Sequence, residues 1–294
     1  MLPDRGVHHA SGTSYDEEMV AGVDADSLPR ATEHSIAVVV LTHSRVHLLR
    51  KCVENVLART SDATREIVIW DNGSTDGTRE YLSSLTDPRI TVILHDENIG
   101  QNAYARAFER TSADYLVELD DDVVDAPLNW DATLLDAFRR LPAIGFLAAD
   151  LEDDPYDVAT HYRYRIRPHE YTPASINGVS LLFGPTGGGC AMTSREVYRR
   201  VGGFRQHRKY VFWQEEAAYI DDIRKAGFDA AVLADLKVHH TGGPYYVETA
   251  PEKAEFWAAY EKRMARRAAI KRLVFRLPFF RRLNARFAWF VAPS

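Results

Sequence analysis

An apolar run ends abruptly in three consecutive carboxylates in the stretch Tyr115-Leu116-Val117-Glu118-Leu119-Asp120-Asp121-Asp122-Val123. Like charges at the end of a buried strand repel one another unless a cation or hydrogen-bond donors compensate them. Alternate residues of an extended segment point the same way, so Asp120 and Asp122 are expected to face one hard divalent ion while Asp121 faces elsewhere. Asp is also common at helix N-caps and in solvated turns, so this segment alone leaves both interpretations open.

Strands and helices alternate along the chain that leads to this stretch. Continuous apolar runs predict strands at residues 36–41, 66–70, 90–94 and 115–119, and apolar residues at helical spacing predict helices at 46–60, 78–85 and 101–110. This order is typical of an α/β fold with a mostly parallel, doubly wound sheet flanked by helices. In such sheets ligands bind beyond the carboxyl ends of the strands. Thr42-His43, Asp71-Asn72 and Asp120–Asp122 all follow strands, so we expect them to line one crevice.

The pattern is looser beyond Val123. We expect a helix at 129–141, a strand at 144–149 and a long polar surface loop from Glu152 to Ser175. The run Gly187-Gly188-Gly189-Cys190 then leads into another predicted strand. Its adjacent glycines would permit a neighbouring group to approach the backbone closely. A flexible turn is the alternative interpretation of these glycines.

Composition bounds the class of protein. The chain has 294 residues, of which 46% are hydrophobic, enough to bury a core. Cys52 and Cys190 are too few for a disulfide framework, which suggests a reducing, cytoplasmic setting. We find no stretch long and apolar enough to span a membrane and no secretory signal. The net charge is −6, and the chain before the basic C-terminal tail is more acidic still. This acidic body argues against general nucleic-acid binding, because phosphate backbones are held by clustered cations on the folded face.

Charge is distributed unevenly between the two ends of the chain. Residues 1–34 are polar and acidic and are interpreted as a flexible arm. From Lys253 to Ser294 there are eleven Lys or Arg against two Glu, interleaved with aromatic residues. The segment 246–294 is therefore predicted to be a basic amphipathic helical extension, which would place the protein peripherally at the inner face of a membrane. A helix packed on the domain or on a second subunit explains the same pattern equally well.

Several short motifs in a fixed order give the chain a family resemblance. They are Val38–Arg45, Asp71–Thr78, Asn98 with Gly100, Asp120–Asp122, Gly187–Cys190, Gly202–Phe204, Glu215-Glu216, Gly227-Phe228 and Val238–His240. Each motif alone is weak, but their order resembles that of the inverting nucleotide-sugar glycosyltransferases of family 2. The resemblance implies a GT-A type fold, with a catalytic domain at 35–245 that divides into a nucleotide-binding half at 35–125 and an acceptor-binding half at 126–245.

The resemblance also implies roles for individual residues on the donor side. Thr42 and Asp71 would hold the base and ribose of the nucleotide, and Arg45 and Asn98 would support that pocket. Nucleotide-sugar contacts are further expected at Asp120, Asp121, Gly188 and Gly189.

The metal site implied by the resemblance is an Asp-x-Asp motif with a late histidine. Asp122 and Asp120 would bind Mn²⁺ or Mg²⁺, and His239 or His240 would supply a third ligand. Consecutive strand residues face opposite ways, so only one of the two histidines should bind. The sequence favours His239.

Inverting transfer needs a base that deprotonates the acceptor hydroxyl. In the family this base belongs to an acidic pair before a helix that ends in a Gly-aromatic step. The corresponding pair here is Glu215-Glu216, so Glu216 is the candidate base and Glu215 the second choice. A glutamate stands where the family has aspartate, which moves the carboxylate by more than an ångström.

The expected function is transfer of a sugar from a nucleotide diphosphate-sugar to a hydroxyl acceptor, such as a glycan, a lipid-linked saccharide or a natural product, by a hexosyl- or deoxyhexosyltransferase. Three alternatives stay open. A nucleotidyltransferase could share the sheet and the acidic cluster, although the loop at Thr42–Arg45 lacks the expected Gly-rich and basic triphosphate pattern. A catalytically silent nucleotide-sugar binding protein and a retaining transferase are the other two.

Overall fold

A computed structural model describes residues 34–153, 171–205 and 215–241, together with Lys262 and Arg266. For Asp153 and for residues 215–217 it describes the backbone alone. The strands are β1 (Ile36–Thr42), β2 (Thr64–Asn72), β3 (Ile90–His95), β4 (Tyr115–Asp120), β5 (Val123–Asp125), β6 (Ile144–Asp153), β7 (Thr172–Ile176), β8 (Val179–Phe183), β9 (Cys190–Ser194) and β10 (Asp229–His240). The helices are α1 (Val46–Arg59), α2 (Thr78–Ser83), α3 (Asn102–Phe108), α4 (Trp130–Arg139), α5 (Arg195–Val201) and α6 (Glu215–Lys225).

The β-branched run at the start of the described chain forms the centre of the sheet. Residues Ile36 to Val40 of β1 are fully buried because β1 lies between β2 and β4, both parallel to it. The helix that follows, α1, buries Leu48, Leu49, Cys52 and Val53 against this core, as their helical spacing predicts.

One continuous sheet has the strand order β3-β2-β1-β4-β9-β6-β10-β8-β7, and β5 pairs with β10. The order runs from β1 to β2 and β3 on one side and from β1 to β4 on the other, so the winding reverses between β1 and β4. A crevice therefore opens at the carboxyl ends of these two strands. The sequence prediction of a mostly parallel sheet flanked by helices is confirmed.

The second half of the sheet contains antiparallel strands that the sequence did not indicate. β9 is antiparallel to both β4 and β6, while β10 is parallel to β6 and antiparallel to β5 and β8. The polar loop expected at Glu152–Ser175 is corrected at both ends: β6 extends to Asp153, and β7 begins at Thr172 and forms a hairpin with β8. β7 and β8 have five residues each, too few to show a clear alternating pattern in the sequence.

By the contacts among its residues, the chain separates into two units, with the boundary between His34 and Ser35. In the part of the chain that the structure describes, no helix is long and apolar enough to cross a membrane. The predicted arm at 1–34, apart from His34, and the predicted basic extension at 246–294, apart from Lys262 and Arg266, lie outside the described residues.

Candidate functional site

The strand register brings the predicted site residues to one level of the sheet. Leu41 lies opposite Asp120 of β4, and Thr42 lies opposite Asp71 of β2. A cleft opens at these strand ends, and its lining includes Thr42, Arg45, Asn98 and Asp120. Of the residues expected to line one crevice, Thr42, His43, Asn72 and Asp120 line this cleft. The other three, Asp71, Asp121 and Asp122, are buried.

Three potential metal ligands meet beside this cleft. Asp120, Asp122 and His240 each offer one ligand atom, and these atoms lie within 4.8 Å of one another. His240 Nε2 lies 3.0 Å from Asp122 Oδ1 and 3.9 Å from Asp120 Oδ2. Asp122 and His240 are buried, whereas Asp120 is partly open to solvent.

His240 is the last residue of β10, which brings it next to Asp120 and Asp122 although it lies more than 100 positions further along the sequence. His240 pairs with Val123 of β5 and His239 with Asp125, with a register irregularity between the two histidines. The backbone N–H of Thr241 donates to the Asp122 carbonyl at 2.9 Å, which holds the end of β10 against the acidic turn. Among the described residues, the group of potential metal ligands includes His240 and not His239. The structure thus corrects the preference for His239: the histidine beside Asp122 is His240.

These donor groups fit a divalent cation. Carboxylate oxygens suit Mg²⁺ and Mn²⁺, and an imidazole nitrogen is also a common ligand for first-row metals. The cluster therefore has the composition and spacing of a cation site with three protein ligands.

Asp120 is held in place by groups from two other elements. The Tyr104 hydroxyl donates to Asp120 Oδ1 at 3.4 Å, and the Asp120 backbone N–H donates to the Gly189 carbonyl at 2.9 Å. Gly189 has φ +89°, and a Cβ there would lie 2.8 Å from Leu151 and 3.7 Å from Asp120 Oδ2. Glycine is thus needed at 189 for backbone conformation and for space. Sequence reasoning singled out Gly189 but missed Tyr104, whose position in α3 carries no distinctive signal.

Asp121 occupies a different environment from the one expected. Its side chain is fully buried and forms an ion pair with Arg45, which also binds Asp122. Burial raises the pKa of the Asp121 carboxyl to about 6, although Arg45 opposes this shift. The Asp121 side chain is therefore paired with Arg45 inside the protein, and its contact with the nucleotide-sugar stays a prediction.

Asp71 is also fully buried. Its carboxylate accepts hydrogen bonds from the Ser74 N–H at 3.1 Å and from Arg79 Nε at 2.8 Å. Arg79 in turn donates to the His95 carbonyl at 2.6 Å. Arg79 thus compensates the buried charge of Asp71, a role that sequence reasoning missed. The neighbouring Asn72 lines the cleft and donates to the Gly100 carbonyl at 3.1 Å.

The loop before α3 forms the far wall of the cleft. Asn98 Oδ1 accepts a hydrogen bond from the Gly100 N–H at 2.9 Å, which fixes the backbone between these two residues. Asn98, Gly100, Gln101 and Tyr104 all line the cleft. The Asn98 side chain thus shapes the loop at the edge of the cleft, and its support of a nucleotide stays a prediction.

Both cysteines are free and buried. The Cys52 Sγ lies 3.5 Å from the Asp120 carbonyl. Burial raises the pKa of the Cys52 thiol well above its usual value, and the neighbouring charges of Asp121, Asp122 and Asp120 add to the effect. Cys52 therefore stays a neutral thiol beneath the acidic turn, in agreement with a structural role.

The candidate base pair Glu215-Glu216 begins helix α6, but its side chains lie outside the described residues. The helix itself is anchored firmly. Tyr219 is fully buried, and its hydroxyl lies 2.8 Å from Thr193 Oγ1, which donates to the Gly145 carbonyl. The backbone that carries Glu216 is therefore fixed to the sheet one turn further along the helix.

Comparison with known proteins places this geometry in a family. The family model described as "Glycosyl transferase family 2" matches residues 37–202. An N-acetylglucosaminyl-diphospho-decaprenol L-rhamnosyltransferase from Mycobacterium tuberculosis is 27% identical over 225 residues, covering 64% of this chain and 71% of that protein. An N-acetylglucosaminyltransferase from Azorhizobium caulinodans is 28% identical over 137 residues, covering 45% of this chain and 34% of that protein.

A solved structure shows the same fold. It is a mannosyltransferase from Pyrobaculum calidifontis in complex with GDP-Man and Mn²⁺, with a TM-score of 0.50 and 21% identity. The match covers 71% of this chain and 57% of the mannosyltransferase. The present chain thus spans little more than half of that protein.

Proposed function

The chain belongs to glycosyl transferase family 2 and is a glycosyltransferase, and on that premise we propose a metal-dependent, inverting transfer of a sugar from a nucleotide diphosphate-sugar to a hydroxyl acceptor. The observation that carries the proposal is the cluster of Asp120, Asp122 and His240 at the edge of the cleft. Its ligand types fit Mn²⁺ or Mg²⁺, and its position at the carboxyl ends of parallel strands fits a diphosphate.

The residues of the cleft divide the work of binding the donor. Thr42, Asn72 and Asn98 line the cleft and would contact the nucleoside. The buried Asp71, which Arg79 holds by a hydrogen bond, would support them from the protein interior. Asp120, Asp122 and His240 would hold Mn²⁺ or Mg²⁺, which when bound supplies charge stabilisation to the departing diphosphate. Tyr104 and the Gly189 carbonyl keep Asp120 at the rim of the site. With the diphosphate charge stabilised by the metal, the leaving group would not need to be protonated.

Inversion requires a base on the acceptor side, and Glu216 remains our proposal for it. The backbone of α6 places this residue in the first turn of a helix that packs on β6 and β10. A carboxylate there would accept the proton of the acceptor hydroxyl as the oxygen attacks the anomeric carbon.

The acceptor is proposed by analogy with the relatives. The name of the mycobacterial relative describes transfer of L-rhamnose to a diphospho-decaprenol-linked sugar. We extend this to a lipid-linked or other saccharide acceptor here, and to a hexosyl or deoxyhexosyl donor. A contact of the basic tail with anionic membranes would serve such an acceptor. Flotation of the full chain with anionic liposomes at low salt, but not at high salt, is the expected result, and failure to float at low salt would exclude it.

The histidine assignment gives a matched pair of variants. We expect His240→Gln to weaken Mn²⁺ binding by about 10- to 100-fold or more, since even residues that merely orient a ligand are worth that much. We expect His239→Gln to bind Mn²⁺ like the unaltered chain, because His239 is not part of the group formed by Asp120, Asp122 and His240. Titration of each variant with Mn²⁺, followed by the signal of the free ion, measures the difference. Equal affinities for the two variants would contradict the assignment.

A thermal-shift screen tests the proposed function. Binding to the folded state raises the melting temperature by an amount that grows with the ratio of ligand concentration to Kd, so UDP, GDP, dTDP, ADP and CDP are compared with and without Mn²⁺. We expect one nucleotide to stabilise the chain, and to do so more strongly with Mn²⁺ than with EDTA. The matching nucleotide-sugar is then incubated with saccharide acceptors, and the anomeric configuration of the product is read by NMR. No stabilisation by any nucleotide, or a retained configuration, would contradict the proposal.

A further inference from the structure

Arg45 connects two neighbouring carboxylates of the acidic turn. Its Nη1 donates to Asp122 Oδ2 at 2.9 Å, and its Nη2 donates to Asp121 Oδ1. The arginine side chain is only 11% exposed, and both carboxylates are buried. A planar guanidinium can bridge two oxygens in this way, whereas an ammonium offers a single point of charge.

The backbone holds Arg45 firmly from the other side. Arg45 directly precedes α1, and its carbonyl accepts hydrogen bonds from the N–H groups of Leu48 and Leu49, each at 3.0 Å. The preceding residue, Ser44, donates its N–H to Ser74 Oγ at 2.7 Å, which links this loop to the loop after β2. These bonds fix the Arg45 backbone, and the burial of its side chain together with two carboxylate partners restricts the guanidinium itself.

The consequence falls on Asp122. Asp122 Oδ2 is paired with Arg45, and Asp122 Oδ1 lies 3.0 Å from His240 Nε2. The carboxylate is thereby held in one orientation, with one oxygen on the guanidinium and the other in the cluster. The Arg45 charge also offsets part of the repulsion among the three consecutive carboxylates.

We propose that Arg45 is a positioning residue for the metal site: its guanidinium fixes the Asp122 carboxylate so that Oδ1 is presented to the cation beside Asp120 and His240. This inference rests on the proposed function and deepens it. It gives Arg45, which also lines the cleft, a role different from the expected support of the nucleotide pocket. Groups that orient metal ligands contribute 10- to 100-fold to metal affinity, because they remove the cost of ordering the ligand on binding.

The test compares variants that separate charge from tethering. Arg45→Met alone would leave Asp121 buried without its cation and endanger folding. The double variant Arg45→Met/Asp121→Asn removes the bridge and one charge of each sign, so the net charge of the turn is preserved. Arg45→Lys keeps the positive charge but cannot bridge both carboxylates. Arg89→Met/Asp87→Asn, which removes an arginine–aspartate pair outside the turn, serves as the matched control.

Two measurements are made on each full-length variant. Mn²⁺ alone is titrated and followed by the electron paramagnetic resonance signal of the free ion, and UDP, GDP and dTDP are titrated in EDTA. We expect the double variant to bind Mn²⁺ about 10- to 100-fold more weakly, Arg45→Lys to be intermediate, and the control to match the unaltered chain. Nucleotide affinity in EDTA should change less than threefold in all of them.

The outcomes separate the inference from the function on which it rests. If the unaltered chain binds no Mn²⁺, both the metal dependence and the role of Arg45 fail. If it binds Mn²⁺ and the double variant binds equally well, the positioning role alone fails. Weaker nucleotide binding in EDTA with unchanged Mn²⁺ affinity would overturn the inference in favour of a direct donor contact by Arg45.

Discussion

Asp122→Asn is expected to lower the rate of sugar transfer by about three orders of magnitude at saturating donor and Mn²⁺. The substitution keeps the shape of the side chain but removes the charge that faces His240 and Arg45. Loss of several kcal/mol of charge stabilisation at the leaving group corresponds to this reduction, since each 1.36 kcal/mol is worth about tenfold in rate. The rate is measured as nucleoside diphosphate released per unit time in the presence of acceptor.

Asp125→Asn is the matched control for this variant. Asp125 lies three residues further along, on β5, and its side chain is 70% exposed. It should retain the unaltered rate, while thermal melting should show both variants folded. An Asp122→Asn enzyme within threefold of the unaltered rate, still dependent on Mn²⁺, would contradict the role given to Asp122.

Glu216→Gln is expected to reduce transfer by about 100- to 10,000-fold, the usual contribution of a general base. The amide is nearly isosteric with the carboxylate but cannot accept the acceptor proton. Binding of the nucleoside diphosphate with Mn²⁺ should stay unchanged, because the donor cleft is built by β1, β2, β4 and the loop before α3. Initial rates and thermal shifts measured on the same preparations separate the two effects.

Glu215→Gln provides the comparison within the same pair. If Glu216 is the base, Glu215→Gln should keep most of its activity, and the reverse pattern would assign the base to Glu215. Near-normal transfer by both variants would show that the acidic pair at the start of α6 does not supply the base.

The donor half of the fold could be predicted from sequence because its signals are local. Continuous apolar runs gave β1 to β4, and polar residues placed directly after them marked the edge at which ligands bind. Parallel strands in register then bring Thr42 beside Asp71 and Leu41 beside Asp120 without further information.

The choice between His239 and His240 could not be made in the same way. β10 contains an irregularity between Leu233 and Lys237 and another between the two histidines. Each irregularity changes which residues face a given side of the sheet. Counting alternate residues along the sequence therefore does not predict which histidine faces Asp122. The pairing with β5, a strand of three residues, decides the outcome.

Contacts between distant residues were likewise hidden from the sequence. Arg45 and Asp122 are 77 positions apart, and Tyr104 reaches Asp120 from a helix whose apolar pattern explains it equally well. Arg79 similarly belongs to a short helix and was recognised only by its hydrogen bond to Asp71. Pattern analysis identifies which residues carry charge, whereas tertiary packing determines which charges meet.

Anomalous diffraction from crystals grown with Mn²⁺ and the nucleoside diphosphate that stabilises the chain tests the central claim most directly. We predict a manganese peak within bonding distance of Asp120, Asp122 and His240, beside the diphosphate. Crystals in which the nucleotide is bound and no manganese peak appears at these three side chains would contradict the account.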